Sequence, residues 1–99
     1  MSLPVIVRPA AEADIQQTHD DLEDIRTGLG EQFGARLREV FESIESMPEA
    51  PAIIWQDVRA IRVRKFQYVV YYVVFADPVE VLAVIHGARH ESTWRSRVN

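Results

Sequence analysis

The chain has 99 residues, enough for one domain with a modest hydrophobic core, and its 47% hydrophobic and 26% charged residues are typical of a folded globular protein. It contains no cysteine, which excludes disulfides, thiolate metal sites and a cysteine nucleophile. No apolar run reaches the roughly 18 residues of a membrane span. We therefore expect a soluble, cytoplasmic protein in which residues 1–99 form a single domain.

The net charge of −4 is distributed unevenly along the chain. Residues 9–50 carry eleven acidic and three basic side chains, a balance of −8, whereas residues 59–99 carry seven basic and three acidic ones, a balance of +4. This asymmetry predicts that the C-terminal half contacts an anionic or acidic partner. The alternative is that acidic residues fall on solvated helices and basic residues on strands by chance. Both interpretations stay open at this stage.

Two amphipathic helices are predicted after a short strand that ends at Pro9. Mostly apolar residues then recur at steps of three and four, the spacing of one face of an α-helix. In the first helix they are Ile15, Thr18, Leu22, Ile25 and Leu29. In the second helix they are Phe33, Leu37, Val40, Phe41, Ile44 and Met47. Gly28 and Gly30 predict the reversal between the helices, and Gly34 is expected to allow close packing.

Three strands are predicted in the C-terminal half, at residues 60–66, 68–75 and 79–86, because these runs are rich in Val, Ile and aromatic residues and are separated by short turns. The middle run is apolar on both faces, which is typical of a central strand. Strict alternation in the last run would place Leu82 and Val84 on the same face. Residues 48–59 are expected to form an irregular connector at the edge of the core.

The predicted order is therefore β-α-α-β-β-β, an α+β fold. We expect the N-terminal α-hairpin to pack on one face of a small, mainly antiparallel sheet, and the first strand to join an edge of that sheet. The other face of the sheet would stay open and carry basic side chains.

Arg62 and Arg64 are the first candidate binding residues. On one strand they would project from the same open face, about 7 Å apart. Such a pair suits a phosphate or carboxylate group of a partner. The alternative is that these charges only protect a strand from pairing with another chain.

The C-terminal tail supplies further candidates, namely Arg89, Trp94, Arg95 and Arg97. Basic side chains beside an aromatic one are typical of a recognition surface. The alternative, which we expect for Trp94, is that the indole packs on the core while the arginines are solvated. His86 and His90 are four residues apart, but His86 ends a predicted strand and His90 follows Gly87, so the helical geometry of metal ligands is absent and we expect no metal and no small-molecule cofactor.

Several segments, taken together and in order, resemble the ParE/RelE superfamily of toxins from type II toxin–antitoxin modules, often called plasmid stabilisation proteins. They are VIVRP at residues 5–9, continuing to Ile15, IRVRKFQYVVYY at residues 61–72, VIHGAR at residues 84–89 and WRSR at residues 94–97. Gly34 before the apolar face of the second helix also fits this pattern. The resemblance spans nearly the whole chain and implies the α+β fold given above.

The resemblance implies two possible activities. RelE-like members cleave messenger RNA on the ribosome with a cluster of basic residues and an acid/base group; here these would be Arg62, Arg64, Lys65 and Arg89, with His86 or Tyr71. ParE-like members lack most of that cluster and act on DNA gyrase. This chain has Tyr68 where a RelE-like central strand offers an arginine, and Trp94 where a catalytic tyrosine would be expected. These departures favour the ParE-like branch.

We therefore expect a ParE-like toxin that binds a macromolecular target and forms a hetero-oligomer with an antitoxin encoded nearby. The alternatives are a RelE-like, ribosome-dependent endoribonuclease, or a degenerate homologue that only binds its antitoxin. The residues expected to bind the target or the antitoxin are Arg62, Arg64, Lys65, Arg89, Trp94, Arg95 and Arg97.

Overall fold

In a computed structural model that describes residues 3–76 and 78–98, two long helices pack on a five-stranded sheet. The elements are β1 (Val5–Val7), α1 (Pro9–Ile25), α2 (Leu29–Ser46), β2 (Ile53–Trp55), β3 (Val58–Arg62), β4 (Tyr68–Val74), β5 (Val79–His86) and the short α3 (Ser92–Arg95). The strand order is β1-β5-β4-β3-β2, with β1 parallel to β5 and the other pairs antiparallel. The predicted α+β fold, with an α-hairpin at its N-terminal end and the first strand at a sheet edge, is confirmed.

The helices end slightly earlier than the apolar spacing predicts. Pro9 lies in the first turn of α1, and α1 ends at Ile25, which is 73% exposed and therefore does not belong to the buried face. Leu29 already begins α2, and Met47, which is 65% exposed, follows it. The chain reverses between the helices at Gly28, whose φ of +91° lies in the left-handed region that favours glycine.

The close approach of α1 and α2 occurs at Gly30, not at Gly34. A Cβ atom on Gly30 would lie 2.7 Å from Cδ2 of His19 and 2.8 Å from its backbone oxygen, so no side chain fits there without movement. A Cβ atom on Gly34 would meet nothing within 4 Å. The prediction that Gly34 permits close packing is therefore wrong, because Gly30 faces α1 at the crossing and Gly34 does not.

The α-hairpin covers one face of the sheet with the larger hydrophobic cluster. Phe33 of α2 packs edge-on against Phe66 and Tyr68, with ring centroids 5.3 and 5.4 Å apart. Tyr72 is fully buried, and its hydroxyl donates a hydrogen bond of 2.7 Å to the carbonyl oxygen of Pro48. The buried members of this cluster are Ala11, Leu22, Phe33, Leu37, Val40, Ile44, Val63, Val70, Tyr72, Val79, Val81 and Val84.

The second face of the sheet is covered by the C-terminal tail. Trp94 of α3 is only 5% exposed and stacks on Tyr71, with ring centroids 4.8 Å apart and an angle of 11° between the planes. Trp55 of β2 contacts Trp94 edge-on at 5.9 Å. The expectation of a packed Trp94 is confirmed, whereas the expectation of an open face is wrong. The reason is that β4 and β5 are apolar on both faces, so both faces need a cover.

A β-bulge at Leu82 changes which side chains of β5 face the helices. Tyr71 is opposite Ala83 and Tyr72 is opposite Val81, so Leu82 is an extra residue in the ladder. Val84 consequently joins the larger cluster under the helices, the helix-side cluster, whereas Leu82 and Ala83 lie on the other face. The buried residues of that face form the tail-side cluster, namely Val58, Tyr71, Val73, Leu82, Ala83, Ile85 and Trp94. The strict alternation predicted for this strand is wrong beyond Val81.

Two other boundaries differ from the prediction. Residues 53–55 form the edge strand β2 instead of an irregular connector, pairing with β3 through an irregular register. Strand β3 begins at Val58 and ends at Arg62, four residues before the predicted end. The chain then turns tightly, because the Val63 N–H donates to the Tyr68 oxygen and the Phe66 N–H donates to the Val63 oxygen.

Glu23 links the end of α1 to the start of α2, and this predicts an acid-sensitive contribution to stability. Its carboxylate accepts hydrogen bonds from the N–H groups of Gly28 at 3.2 Å and Gly30 at 2.7 Å. These bonds hold the pKa of the Glu23 carboxyl below its ordinary value of 4.5. Because the folded-state pKa is lowered, the stabilisation is present above the unfolded-state value and is lost as the pH falls through the folded-state value.

We expect Glu23→Gln to be less stable than the wild type at neutral pH, and the difference to shrink as the pH falls below 4.5. Urea unfolding of both proteins across this pH range measures it. Asp24→Asn, at an exposed neighbouring position, is the matched control. A difference between the wild type and Glu23→Gln that does not change with pH would contradict this prediction.

Candidate functional site

Two neighbouring turns bring basic side chains together at one end of the sheet. Tyr68, at the start of β4, is paired with His86, at the end of β5, and the Gly87 N–H donates a 2.7 Å hydrogen bond to the Gln67 oxygen. The β3–β4 turn and the loop after β5 are therefore adjacent. The exposed cations that these segments carry are Arg62, Arg64, Lys65 and Arg89, which we call the basic end.

Arg62 and Arg64 do not share a strand face as predicted, because β3 ends between them. Arg62 is the last residue of the strand, and its Nε donates a 3.1 Å hydrogen bond to the Phe66 oxygen. Val63 is fully buried, and Arg64 lies in the turn. Lys65 follows with a φ of +71°, an uncommon value for a residue with a side chain. The cations thus occupy a strand end and a turn, not a regular clamp.

His86 and Arg89 line a small cavity of about 100 Å³ beside α1. Nδ1 of His86 accepts a 3.0 Å hydrogen bond from the Ala88 N–H, and the ring lies edge-on to Tyr68 at 5.4 Å. Two carboxylates of α1, from Asp14 and Asp21, line the same cavity. It is large enough for a few water molecules only, at about 30 Å³ each.

Tyr71 is not part of the basic end. It is 8% exposed, lies opposite Ala83 within the sheet and stacks on Trp94. Burial raises the pKa of the Tyr71 phenol above its ordinary value of 10.0, because the phenolate is poorly solvated there. Its predicted acid/base role would therefore require a proton transfer from a phenol held under the C-terminal tail.

Arg95 is held between two indole rings. The guanidinium carbon lies 4.8 Å from the Trp55 ring centroid and 5.4 Å from that of Trp94, a cation–π arrangement. Its Nη2 also forms a 3.1 Å ion pair with Glu91. Arg95 and Trp94 thus fasten the tail to the sheet. Their predicted role in binding a target or an antitoxin remains a prediction.

Arg97 forms a partly buried ion pair with Asp14 that sequence reasoning missed. Nη1 of Arg97 lies 2.5 Å from Oδ2 of Asp14 and donates a 3.1 Å hydrogen bond to the Leu82 oxygen at the bulge. The same Asp14 oxygen accepts a 3.0 Å bond from the Val84 N–H, and Arg8 donates a 2.7 Å bond to the Arg97 oxygen. Arg97 therefore joins α1, β5 and the tail, and its predicted binding role also remains untested.

One signal in the sequence could have pointed to this ion pair. Asp14 precedes Thr18 by one helical turn, and Thr18 belongs to the buried face of α1. A carboxylate next to the buried face needs a partner. Which cation supplies it cannot be found from spacing, since Arg97 lies 83 residues further along the chain.

Among residues 3–76 and 78–98, no three His, Asp or Glu side chains are grouped so that they could hold a metal ion. Within those same ranges, no helix combines the length and the apolar character needed to cross a membrane.

The fold defines a class of small α+β proteins in which an α-hairpin packs on a mainly antiparallel sheet, and a comparison with solved structures agrees with it. A solved structure described as the chromosomal ParDE TA system from P. aeruginosa superposes with a TM-score of 0.75 at 11% identity, covering 86% of this chain and 96% of that one. This likeness establishes the fold. A search of curated proteins gives no match.

The family follows from the sequence itself. The sequence model of the family described as the ParE toxin of the type II toxin–antitoxin system parDE matches residues 5–91. The chain belongs to this ParE toxin family. The expected resemblance is confirmed at the level of the family and of the fold.

Proposed function

We propose that this protein acts as a toxin by binding a macromolecular target, with DNA gyrase as the target implied by the ParE-like branch, and that a cognate antitoxin neutralises it. The observation that carries the proposal is the basic end. Four exposed cations lie on adjacent segments, while Tyr71, the tyrosine considered for RNA cleavage, is buried in the tail-side cluster together with Trp94, which stands where a catalytic tyrosine would be expected.

The chemistry of the basic end favours binding of an anionic partner over cleavage of RNA. Cleavage of RNA requires groups that remove a proton from a hydroxyl and return one to the leaving oxygen. Arginine keeps its proton at any physiological pH, and Tyr71 is buried with a raised pKa. Arginine does, however, bind carboxylates and phosphates in a planar, two-pronged geometry. An exposed set of three arginines and one lysine therefore suits recognition of an anionic surface.

The antitoxin is the second partner of this proposal. Because Arg62, Arg64 and Arg89 are exposed, an acidic segment of the antitoxin could neutralise the same charges that contact the target. Competition for one surface would explain neutralisation without any further conformational change. We therefore propose a toxin–antitoxin hetero-oligomer in which the antitoxin covers the basic end.

His86 keeps the endoribonuclease alternative testable. It is exposed and lines the cavity that Arg89 also lines, so it brings an imidazole, a side chain that can donate or accept a proton, next to the basic end. An RNA-cleaving activity would depend on this histidine. A binding toxin would not.

Expression of the chain in a bacterium, with and without the neighbouring open reading frame, tests the proposal. We expect expression of the chain alone to arrest growth, with DNA breaks and an SOS response. Co-expression of the neighbouring open reading frame should restore growth, and the triple variant Arg62→Ala/Arg64→Ala/Arg89→Ala should not arrest it. Arg38→Ala, at an exposed arginine on α2, is the matched control and should arrest growth like the wild type. Codon-phased cuts in messenger RNA that vanish in His86→Ala would contradict the proposal in favour of the endoribonuclease. Absence of any growth defect would indicate a degenerate homologue.

A further inference from the structure

A second basic feature lies between the helices and the β3–β4 turn. This groove has a volume of about 550 Å³, which is within the roughly 300–1,000 Å³ of typical binding pockets. It shares Lys65 with the basic end, and its wall includes, in addition to Gln32, three cations and three apolar side chains, namely Arg26, Arg36, Lys65, Leu29, Ala35 and Phe66. We call it the cationic groove.

The positive charges of the cationic groove are not neutralised by acidic side chains of its own wall. In the part of the chain that the structure describes, no acidic side chain lines it. Within residues 3–76 and 78–98, no carboxylate lies within ion-pair distance of Arg26 or Lys65, and the only such partner of Arg36 is the exposed Glu39, at 3.0 Å. Three cations around one concave, partly apolar surface repel one another, and an anionic ligand would relieve that repulsion.

The backbone of the β3–β4 turn fixes the position of Lys65 in the cationic groove. Lys65 is the only lysine of the chain, and its φ of +71° is a conformation in which glycine or asparagine would be less strained. The hydrogen bonds of the tight turn, from Val63 to Tyr68 and from Phe66 to Val63, fix this backbone. The turn therefore places Lys65 in the wall of the groove.

We propose that the cationic groove binds a short acidic segment of a protein partner, with its carboxylates on Arg26, Arg36 and Lys65 and one apolar side chain against Leu29 and Phe66. Guanidinium groups bind carboxylates in two-pronged pairs, and the apolar wall supplies an anchor point. That this partner is the antitoxin rests on the proposed function, whereas the chemistry of the ligand rests on the groove alone.

The surroundings of the groove favour a peptide over a nucleic acid. Glu23 and Asp24 precede Arg26 within one helical turn, and α1 exposes Asp20 and Asp21 further back. A phosphodiester strand that continued from the groove along α1 would be repelled by these carboxylates. A peptide avoids this repulsion, because its acidic residues can be confined to the groove and its neighbouring residues can be neutral.

Fluorescence anisotropy of the purified full chain with a labelled synthetic peptide tests the proposal. The probe is a short peptide with glutamates on both sides of a phenylalanine. We expect Arg26→Gln/Lys65→Gly to bind it about tenfold more weakly than the wild type. Glycine at position 65 removes the charge and suits the positive φ, so the variant should fold. Arg38→Gln removes an exposed arginine of α2 outside the groove and should bind like the wild type.

Two altered peptides test separately the contributions of the glutamates and of the phenylalanine to binding. A peptide with glutamines in place of the glutamates, and one with alanine in place of the phenylalanine, should each bind more weakly. Equal binding of the probe to the wild type and to Arg26→Gln/Lys65→Gly would overturn the proposal, as would no binding at all. Displacement of the peptide by a single-stranded oligonucleotide that binds more tightly would overturn it in favour of a nucleic-acid site.

The test is separable from that of the proposed function, because it needs neither a target nor toxicity. A chain that binds the peptide through the groove but does not arrest growth contradicts the proposed function alone. A chain that arrests growth but does not discriminate between the peptides contradicts the groove assignment alone.

Discussion

Trp94→Ala is expected to lower the free energy of unfolding by about 3–5 kcal/mol, the range found for removal of large buried aromatic side chains. Trp94 is 5% exposed, stacks on Tyr71 and contacts Trp55 edge-on. Its loss would leave a cavity under the tail and deprive Arg95 of one of its two aromatic contacts. Urea unfolding followed by far-UV circular dichroism measures the change.

Two variants serve as controls for Trp94→Ala. Trp94→Phe keeps an aromatic ring over Tyr71 and should lose clearly less stability. Phe75→Ala removes an aromatic side chain that is 42% exposed and should cost no more than about 1 kcal/mol, because less apolar surface returns to water. If Trp94→Ala were as stable as Phe75→Ala, the tail would not cover the second face of the sheet.

Arg97→Met is expected to lower the free energy of unfolding by about 2–3 kcal/mol. It leaves the Asp14 carboxylate, whose side chain is only 13% exposed, without its cation, and it removes the donor to the Leu82 oxygen. Breaking a fully buried ion pair costs about 3–5 kcal/mol. We expect less here because the Arg97 side chain is 23% exposed and water can replace part of the interaction.

A double-mutant cycle isolates this interaction. Asp14→Asn and Arg97→Met should together cost less than the sum of the single changes, since each alone already breaks the ion pair. The exposed pair of Arg36 and Glu39 is the matched control, and Glu39→Gln should cost no more than about 1 kcal/mol. Strictly additive effects of the Asp14 and Arg97 changes would show that the two side chains do not stabilise each other.

The arrangement of the candidate binding residues in the fold was predicted only in part. The sequence singled out Arg62, Arg64, Lys65 and Arg89, and the sheet does bring the segments that carry them to one end. It does so through the pairing of Tyr68 with His86, which no local pattern reveals. The predicted clamp on one strand face failed because β3 ends at Arg62, where the buried Val63 begins a tight turn. Strand ends depend on pairing with a neighbour, and a run of β-forming residues does not show where pairing stops.

In the C-terminal tail, too, the sequence did not show which contacts the individual side chains make. Trp94, Arg95 and Arg97 have the composition of a recognition surface, yet they contact Tyr71, Trp55 and Asp14. Composition alone does not distinguish an arginine that is exposed to solvent from one that forms an ion pair within the fold. The contacts that decide this join residues far apart in the chain, such as Asp14 and Arg97.

Local sequence was sufficient to predict β1, the two long helices and strands β3 to β5 in their order, and the resemblance to the family, but not the edge strand β2 or the short helix α3. Helical spacing identified α1 and α2, β-forming runs identified β3 to β5, and the segments at residues 5–9, 61–72 and 84–89 carried the resemblance, because local propensity and periodicity are properties of short stretches. The tertiary structure alone decided the bulge at Leu82, the closure of the second face by Trp94, and the cationic groove. Each of these depends on register or on packing between distant segments, and a single residue added to a strand moves every later side chain to the opposite face.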